Sequence, residues 1–530
     1  MNQSIDINRV ASATADGAPG IPDTVASRRE NRLAAAALVV LIGLAIGLRL
    51  VPILVTPSIN WGDEIFQITE QAHRLVYGYG LEPWEFQLGI RSWLLPGFVA
   101  GAMELARVIG SGPDVYLPVI AVTFAAIGAA PVFCCFQWCR RKFGLAGAII
   151  GGATVAMAPE LVYFGARTLS EVIAAHLLVL AWYVIEPGKP VKSRRRIAAA
   201  GALLAMVCLL RVQLAPTVAV VALWSAWDIR RDRLVPMLVG GSIVMLFGTL
   251  FDMATLGSPL ASIWRYVLYN TYYGVSSEFS TDPWYYYLLG ELEVWGSAAI
   301  LLICLVGLGA RQMPCLFVAA LTTIAVHSGI AHKEYRFIYL AVLMLMVLAG
   351  LGLANLVQIG AQWLHRQGLR RGAAVAAATI VALASWGGVS AKVWTGPALT
   401  SLRFRLHDEL SAIHLARSIP ALCGVGVYGK NAWVRYGGYA YLGRPVPMFW
   451  PSDEAELVAS AAAFDTLLYD RTERAPPAGL GFTALHCFGP ICIARRQGGC
   501  AARPMSMLPF PARLQGLPST RRQAGEATLQ

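Results

Sequence analysis

The chain has 530 residues, of which 56% are hydrophobic and only 14% charged. A soluble domain carries roughly 25% charged residues, so composition excludes an ordinary water-soluble protein and points to a chain solvated largely by lipid. The net charge of +12 lies in short clusters between apolar runs rather than on one basic face, which argues against nucleic-acid binding and matches the cytoplasmic loops of membrane proteins.

Residues 1–32 are polar, rich in Ala, Ser, Asp and Gly, and read as a disordered cytoplasmic segment without a signal-peptide cleavage pattern. From Leu33 to Ala391 apolar runs recur, many of them near the roughly 20 residues that a helix needs to cross about 30 Å of hydrocarbon. They predict about eleven helices, at 33–55, 115–139, 144–163, 168–186, 197–210, 213–228, 234–252, 297–310, 314–331, 337–358 and 373–391. Basic residues follow in register: Arg28, Arg29 and Arg32; Arg140, Arg141 and Lys142; Lys189, Lys192, Arg194, Arg195 and Arg196; Arg230, Arg231 and Arg233; Arg311; and Arg366, Arg370 and Arg371. All fall on one side if the N-terminus is cytoplasmic, the orientation that the positive-inside rule favours. Ser92 to Ile109 is apolar as well, but a full span there would invert every later loop. It is therefore expected to be an interfacial helix within a first outer loop, 56–114, with Glu104 and Arg107 near its end.

Cys134, Cys135, Cys139, Cys208, Cys304 and Cys315 lie in or beside apolar runs and read as small buried hydrophobes. Cys423, Cys487, Cys492 and Cys500 lie in the polar C-terminal part, where disulfides become available if that part is outside the cytoplasm. No cysteine or histidine pattern suggests zinc, and none of the sequence points to a cofactor. Apolar pieces at Cys423–Tyr428 and Phe464–Leu468 read as strands, giving a small α/β domain over 392–495 outside the membrane and a disordered tail at 496–530.

The outer face, defined by charge alone, collects the unusual polar residues. The first outer loop carries Asn60-Trp61-Gly62-Asp63-Glu64, Glu70, His73, Trp84-Glu85 and Arg91-Ser92. Later outer segments carry Arg167 to Glu171, Arg211 with Gln213, Asn270 to Gly274, Asp282-Pro283-Trp284-Tyr285-Tyr286-Tyr287, and His332-Lys333-Glu334-Tyr335-Arg336-Phe337. Ionisable groups at membrane depth are costly and usually functional. Arginines and lysine suit a phosphate, a carboxylate suits proton abstraction, and aromatic rings suit a sugar or the membrane interface. Each group also has a plainer reading: loop carboxylates for Asp63 and Glu64, an i, i+4 ion pair for Arg167 with Glu171, interfacial anchoring for Lys333, Arg336 and Trp284.

The segments Gly62-Asp63-Glu64-Ile65-Phe66-Gln67, Trp84-Glu85, Ile90-Arg91-Ser92, Arg167 to Glu171, Pro283 to Tyr287 and, above all, His332-Lys333-Glu334-Tyr335-Arg336-Phe337 resemble glycosyltransferase family 22. These are the mannosyltransferases that use dolichyl-phosphate-mannose in N-glycan and GPI-anchor assembly. The resemblance runs from about Trp61 to Gly352 and implies a GT-C fold. It also implies inverting, metal-independent transfer of a sugar, mannose above others, from a polyprenyl-phosphate donor to a lipid-, glycan- or protein-linked acceptor, without a nucleotide-sugar site. By this likeness Asp63 takes the acceptor proton, with Glu64 as the neighbouring alternative. His332, Lys333 and Arg336 match the family's last motif, and on physical grounds Lys333 and Arg336 neutralise the donor phosphate as it leaves. Charge and side add Arg167 and Arg211, and Glu334, Glu171, Trp84, Glu85, Arg91 and Trp284 complete the substrate-binding set. The spacer from Gly274 to Pro283 and the tail beyond Val393 depart from the eukaryotic pattern, and the expected setting is a bacterial inner membrane with the site facing outward (an endoplasmic reticulum membrane in a eukaryote). The competing classes are a flippase or transporter of lipid-linked sugars and a non-catalytic assembly protein. Transporters usually hold ionisable groups near the midplane of repeated halves, whereas here they gather at one face.

Overall fold

The computed structural model describes residues 25–185, 193–226, 231–506, 508, 510, 511 and 514. Residues 1–24 of the expected disordered N-terminal segment, Lys189, Lys192 and Arg230 of the basic clusters, and 515–530 of the expected disordered tail lie outside them.

Among the described residues six helices are long and apolar enough to cross a membrane: Arg28–Val55, Pro113–Met157, Asp232–Leu256, Tyr286–Ala310, Tyr335–Arg366 and Arg371–Trp394. Shorter apolar helices, Leu94–Ala106, Ser170–Ile185, Val212–Ser225 and Pro314–Ser328, pack among them. Helix Tyr339–Arg366 is the hub. It touches Ala130–Met157, Ala299–Ala310, Pro314–Ser328 and Arg371–Trp394, and its first half is buried almost without interruption, as expected of a helix that is apolar all round. Lipid gives no hydrophobic reason for helices to associate, so close backbone approach has to supply it. Gly309 and Gly352 provide one such contact: a Cβ on either would strike the carbonyl of Leu348 or Leu305 on the facing helix. Gly201 and Gly240 do the same between Arg194–Leu210 and Arg231–Leu256.

Several boundaries differ from the hydropathy reading. The short helix expected at 297–310 continues the preceding Tyr286–Trp295 through the 3-10 turn Gly296–Ala298; Glu291 and Glu293 had hidden the connection by lowering the local hydropathy. The helix expected at 144–163 ends at Met157, and Pro159–Phe164 forms a separate turn, because Pro159 has no N–H to continue the ladder. The segment expected at the interface is the 13-residue helix Leu94–Ala106, roughly 20 Å long and too short to span. It packs between Glu70–Tyr77 and Pro113–Gly128.

Beyond the membrane helices a five-stranded sheet runs in the order β2-β1-β3-β5-β4. Its strands are β1 (Val425–Tyr428), β2 (Met448–Phe449), β3 (Thr466–Asp470), β4 (Phe482–Phe488) and β5 (Ile491–Arg496). β2, β1 and β3 are parallel, and β5 and β4 close the sheet as an antiparallel hairpin. Helix His407–Arg417 covers one face, where Leu410 and Ile413 meet Val425, Val427, Leu468 and Ile493; Leu457, Phe464 and Leu467 fill the other. Disulfides join Cys423 to Cys500 and Cys487 to Cys492.

The sheet domain grips the segment 56–114. Glu70 is fully buried. Its Oε1 accepts the N–H groups of Leu81 and Tyr439 at 2.7 and 3.3 Å, and its Oε2 accepts that of Ala440 at 2.8 Å. Gly438, at φ +61, lies so close to the carboxylate that a Cβ would meet Glu70 Oε2 at 2.8 Å. Tyr116 donates to the Ala440 carbonyl at 2.6 Å, Arg417 pairs with Asp114 at 2.6 Å, and Ile59 N–H donates to the Arg405 carbonyl at 3.1 Å. A buried donor left unpaired costs about 1–3 kcal/mol. Glu70→Ala is therefore expected to loosen the sheet domain and speed proteolysis of the 395–406 connection in the solubilised protein; an unchanged cleavage rate would show that Glu70 does not fasten it.

Candidate active site

The segment 56–114 turns into the bundle at Trp61, whose ring stacks on Phe164 at 5.4 Å. The chain then winds into the π-helical turn Glu64–Thr69, with Asp63 just before it. The two adjacent carboxylates consequently point into different surroundings. Glu64 is buried and is occupied on both oxygens by Arg167 Nη1 at 3.1 and 2.9 Å, while Asn60 N–H donates to Oε1 at 3.0 Å. The same guanidinium donates to the Ser58 carbonyl and hydroxyl at 3.0 and 2.7 Å. Asp63 keeps 29% of its side chain exposed and meets Arg336 Nη2 directly, with Arg91 Nη2 at 3.9 Å. Burial opposes ionisation of Asp63, but Arg336 and then Arg91 outweigh it and hold the carboxyl below its usual range.

Arg336 is the centre of the charge network. It is almost fully buried and contacts Asp63, Glu334 and, at 3.3 Å, Glu171. Glu171 in turn pairs with Arg211 at 2.8 Å. The i, i+4 pair expected between Arg167 and Glu171 does not form: Arg167 faces back to Glu64, and Glu171 faces the two arginines brought in from other helices.

This network borders a cavity of about 410 Å³, within the usual size of a small-molecule site, roughly 300–1,000 Å³. Of the residues picked out from sequence, Asp63, Trp84, Glu85, Arg91, Arg211, His332, Glu334 and Arg336 line it. Glu171 stands directly behind two of the lining arginines. Glu64 and Arg167 are withdrawn as a structural pair, which removes Glu64 from contact with the cavity. Lys333 is also turned away, because its ammonium is satisfied by the carbonyls of Asp282 and Ile330 at 2.8 and 2.5 Å; it straps two loops together instead of lining the site. Trp284 is 67% exposed and packs edge-on against Tyr285 outside the cavity. His332 lines the wall with its Nδ1 at 2.9 Å from Ser280 Oγ.

A second hollow of about 60 Å³ adjoins the first, and the two share Gln67, Arg91, Arg211, Gln213 and Tyr266. Its remaining wall is mostly apolar, with Leu94, Leu95, Pro96, Leu209, Leu210 and Ile263. Tyr266, which stacks under Arg91 at 5.1 Å, was not singled out from sequence, nor was Phe279. The signal was present in the break at Gly257-Ser258-Pro259 followed by an aromatic, polar run. Glu160 and Glu291 were also missed. They flank Tyr335, whose hydroxyl reaches both, and Glu160 accepts Trp295 Nε1 at 2.8 Å. Carboxylates inside apolar runs were the available clue.

Among the described residues, the one group with metal-like proximity is Cys423, Asp465 and Cys500, and its two sulfurs are joined in a disulfide. Removing Arg167 leaves Glu64 buried and uncompensated, which typically costs about 3–5 kcal/mol. Arg167→Ala is expected to lower the unfolding temperature and yield sharply, and Arg167→Ala with Glu64→Gln to recover part of the loss; equal stability of wild type and the single variant would contradict a structural pair.

Comparison with known proteins places this geometry in context. The Alg9-like mannosyltransferase family matches residues 39–442. GPI mannosyltransferase 3 of Drosophila melanogaster is 26% identical over 318 residues, covering 56% of this chain and 53% of its own length. GPI alpha-1,2-mannosyltransferase 3 of Danio rerio is 26% identical over 310 residues, covering 56% and 55%. GPI mannosyltransferase 3 of Yarrowia lipolytica is 28% identical over 290 residues, covering 54% and 56%. The chain thus spans about half the length of the curated relatives it matches. Among solved structures, ArnT from Cupriavidus metallidurans bound to undecaprenyl phosphate superimposes with a TM-score of 0.57 at 12% identity, over 88% of this chain and 99% of that one. At that identity the likeness concerns the fold alone, a multi-pass helical membrane architecture of the GT-C type. With the family matched over residues 39–442, the chain belongs to the Alg9-like mannosyltransferases, glycosyltransferase family 22.

Proposed function

We propose that the chain transfers a sugar, mannose, from a polyprenyl phosphate to a lipid-, glycan- or protein-linked acceptor, at a site on the non-cytoplasmic face of a bacterial inner membrane. The observation that carries this reading is the junction of the two hollows. Arg91 and Arg211 line both, at the point where an apolar wall gives way to a polar cavity holding Asp63. A polyprenyl phosphate has that polarity: an apolar chain, a charged phosphate, then a polar sugar. The family membership supports the reaction class, as does the name carried by the relatives, and the ArnT neighbour is a structure with undecaprenyl phosphate bound. Two disulfides in the sheet domain suit an oxidising compartment and so support the outward orientation.

In this mechanism the acceptor hydroxyl attacks the anomeric carbon of the donor sugar as the bond from that carbon to the phosphate oxygen breaks, with inversion. Asp63 takes the hydroxyl proton, and the polyprenyl phosphate leaves with the bonding electrons. Arg91, Arg211 and Arg336 stabilise the charge that grows on the phosphate, and they are already oriented by Asp63, Glu171 and Glu334. Before donor binding the Asp63 carboxylate is held by Arg336. An arriving phosphate competes for the same guanidinium and frees Asp63 beside the reacting hydroxyl. Binding of donor thereby makes the base more basic at the moment it is needed.

A positioned base contributes about 10²–10⁴-fold, and loss of one charge-stabilising group about 10²–10³-fold. With labelled polyprenyl-phosphate-mannose and chelator present, Asp63→Ala and Arg336→Ala are each expected to reduce transfer into membrane glycolipid, glycan or protein by at least about a hundredfold at equal protein level. Wild-type rates in Asp63→Ala would remove Asp63 as the base.

A further inference from the structure

The cavity has two chemically different ends. One is ionic, around Arg91, Arg211 and Arg336. The other is formed by the short helix Trp84–Gln87, and it brings an aromatic ring and a carboxyl rather than guanidinium groups. Trp84 lies nearly parallel to Phe279, at 6.3 Å between centroids and 17° between planes, and both residues border the cavity. Beside them Gln67 Nε2 donates to Glu85 Oε1 at 2.9 Å. Unlike Asp63, Glu171 and Glu334, Glu85 forms no ion pair within 4 Å among the described residues, although the residue is only 9% exposed. A buried carboxylate without a cationic partner is expensive; a buried carboxyl that hydrogen-bonds a neutral ligand is not.

We propose that Glu85, Gln67 and the Trp84–Phe279 pair form the sugar subsite of this cavity, the Glu85 carboxyl hydrogen-bonding a hydroxyl of the transferred hexose while its ring rests against the aromatic wall. This rests on the transferase reading above and extends it by assigning the non-ionic end of the cavity to the sugar. Burial, and after it the charge of Asp63, pushes the Glu85 carboxyl up to about 7. Near neutrality it therefore carries a proton for much of the time and offers both a donor and an acceptor. Asp63, held ionised by its arginines, offers only acceptors. The two carboxyl groups of one cavity are in this way pushed apart in protonation state and in role: Asp63 for proton abstraction, Glu85 for recognition.

The test uses the full chain in nanodiscs and two ligands, undecaprenyl phosphate and its mannosyl ester, with the ratio of their affinities as the readout. The bare lipid phosphate reports the ionic end, and the ratio reports the sugar subsite. Glu85→Ala is expected to leave binding of the bare lipid within about twofold and to cut the gain from the sugar by roughly tenfold, the scale of one or two lost hydrogen bonds. Glu85→Gln, which keeps the shape and a donor-acceptor pair, is expected to restore most of that gain. A Glu85→Ala variant with an unchanged ratio, or one that weakens both ligands equally, would overturn the assignment. Wild type that binds both lipids equally would overturn the subsite alone. Wild type that binds neither would overturn the transferase reading together with it.

Discussion

A buried guanidinium at the edge of a membrane has to be neutralised, and Arg336 is neutralised by carboxylates from three separate parts of the chain. Asp63 comes from the segment 56–114, Glu171 from the start of helix Ser170–Ile185, and Glu334 from the turn before helix Tyr339–Arg366. Removing one member of such a set strands a charge in low dielectric, so the network fixes where the loop meets the bundle. It also fixes where an anion can enter, since a phosphate has to exchange with one of those carboxylates. Among the described residues Arg91 is the least committed of the three cavity arginines: its one ion pair there is at 3.9 Å, and it borders both hollows.

The adjacent Asp63 and Glu64 show how surroundings divide two similar groups. Glu64 turns inward against Arg167, Ser58 and Asn60 and locks the loop to the bundle. Asp63, one residue earlier, stays at the cavity. From the other side the sheet domain clamps the same loop through Glu70, seven residues along. The loop carrying the proposed base is therefore fastened at its beginning by a buried ion pair and farther on by a buried carboxylate capped with backbone donors. That leaves the sheet domain a positioning role toward the membrane site.

Much of the fold was legible because bilayer thickness sets helix length and hydropathy reads it directly. The runs at 33–55, 234–252 and 373–391 correspond to helices, and the two tail pieces expected as strands correspond to β1 and β3. Hydropathy could not foresee that Glu291 and Glu293 sit inside a continuous helix, or that Pro159 opens a new turn. In the site, the hexamer from His332 to Phe337 pointed to the right loop, yet it could not say which way alternate side chains face. Arg336 turns to the cavity and Lys333 away from it, a difference set by the carbonyl of Asp282, 51 residues distant in sequence, together with that of nearby Ile330. The partner of Arg167 was illegible for a similar reason: the nearest carboxylate in sequence, Glu171, is claimed by Arg211 and Arg336, and Glu64 approaches only once the first loop has folded back.

If donor phosphate and Asp63 compete for Arg336, an experimental structure of the chain with undecaprenyl phosphate bound will show it. Phosphate oxygens are then expected within hydrogen-bond distance of Arg91 and Arg336, the Asp63–Arg336 contact opened beyond ion-pair distance, and the polyprenyl chain along Leu94, Leu95 and Ile263. A phosphate bound at Lys333 or elsewhere, with the Asp63–Arg336 pair intact, would contradict it.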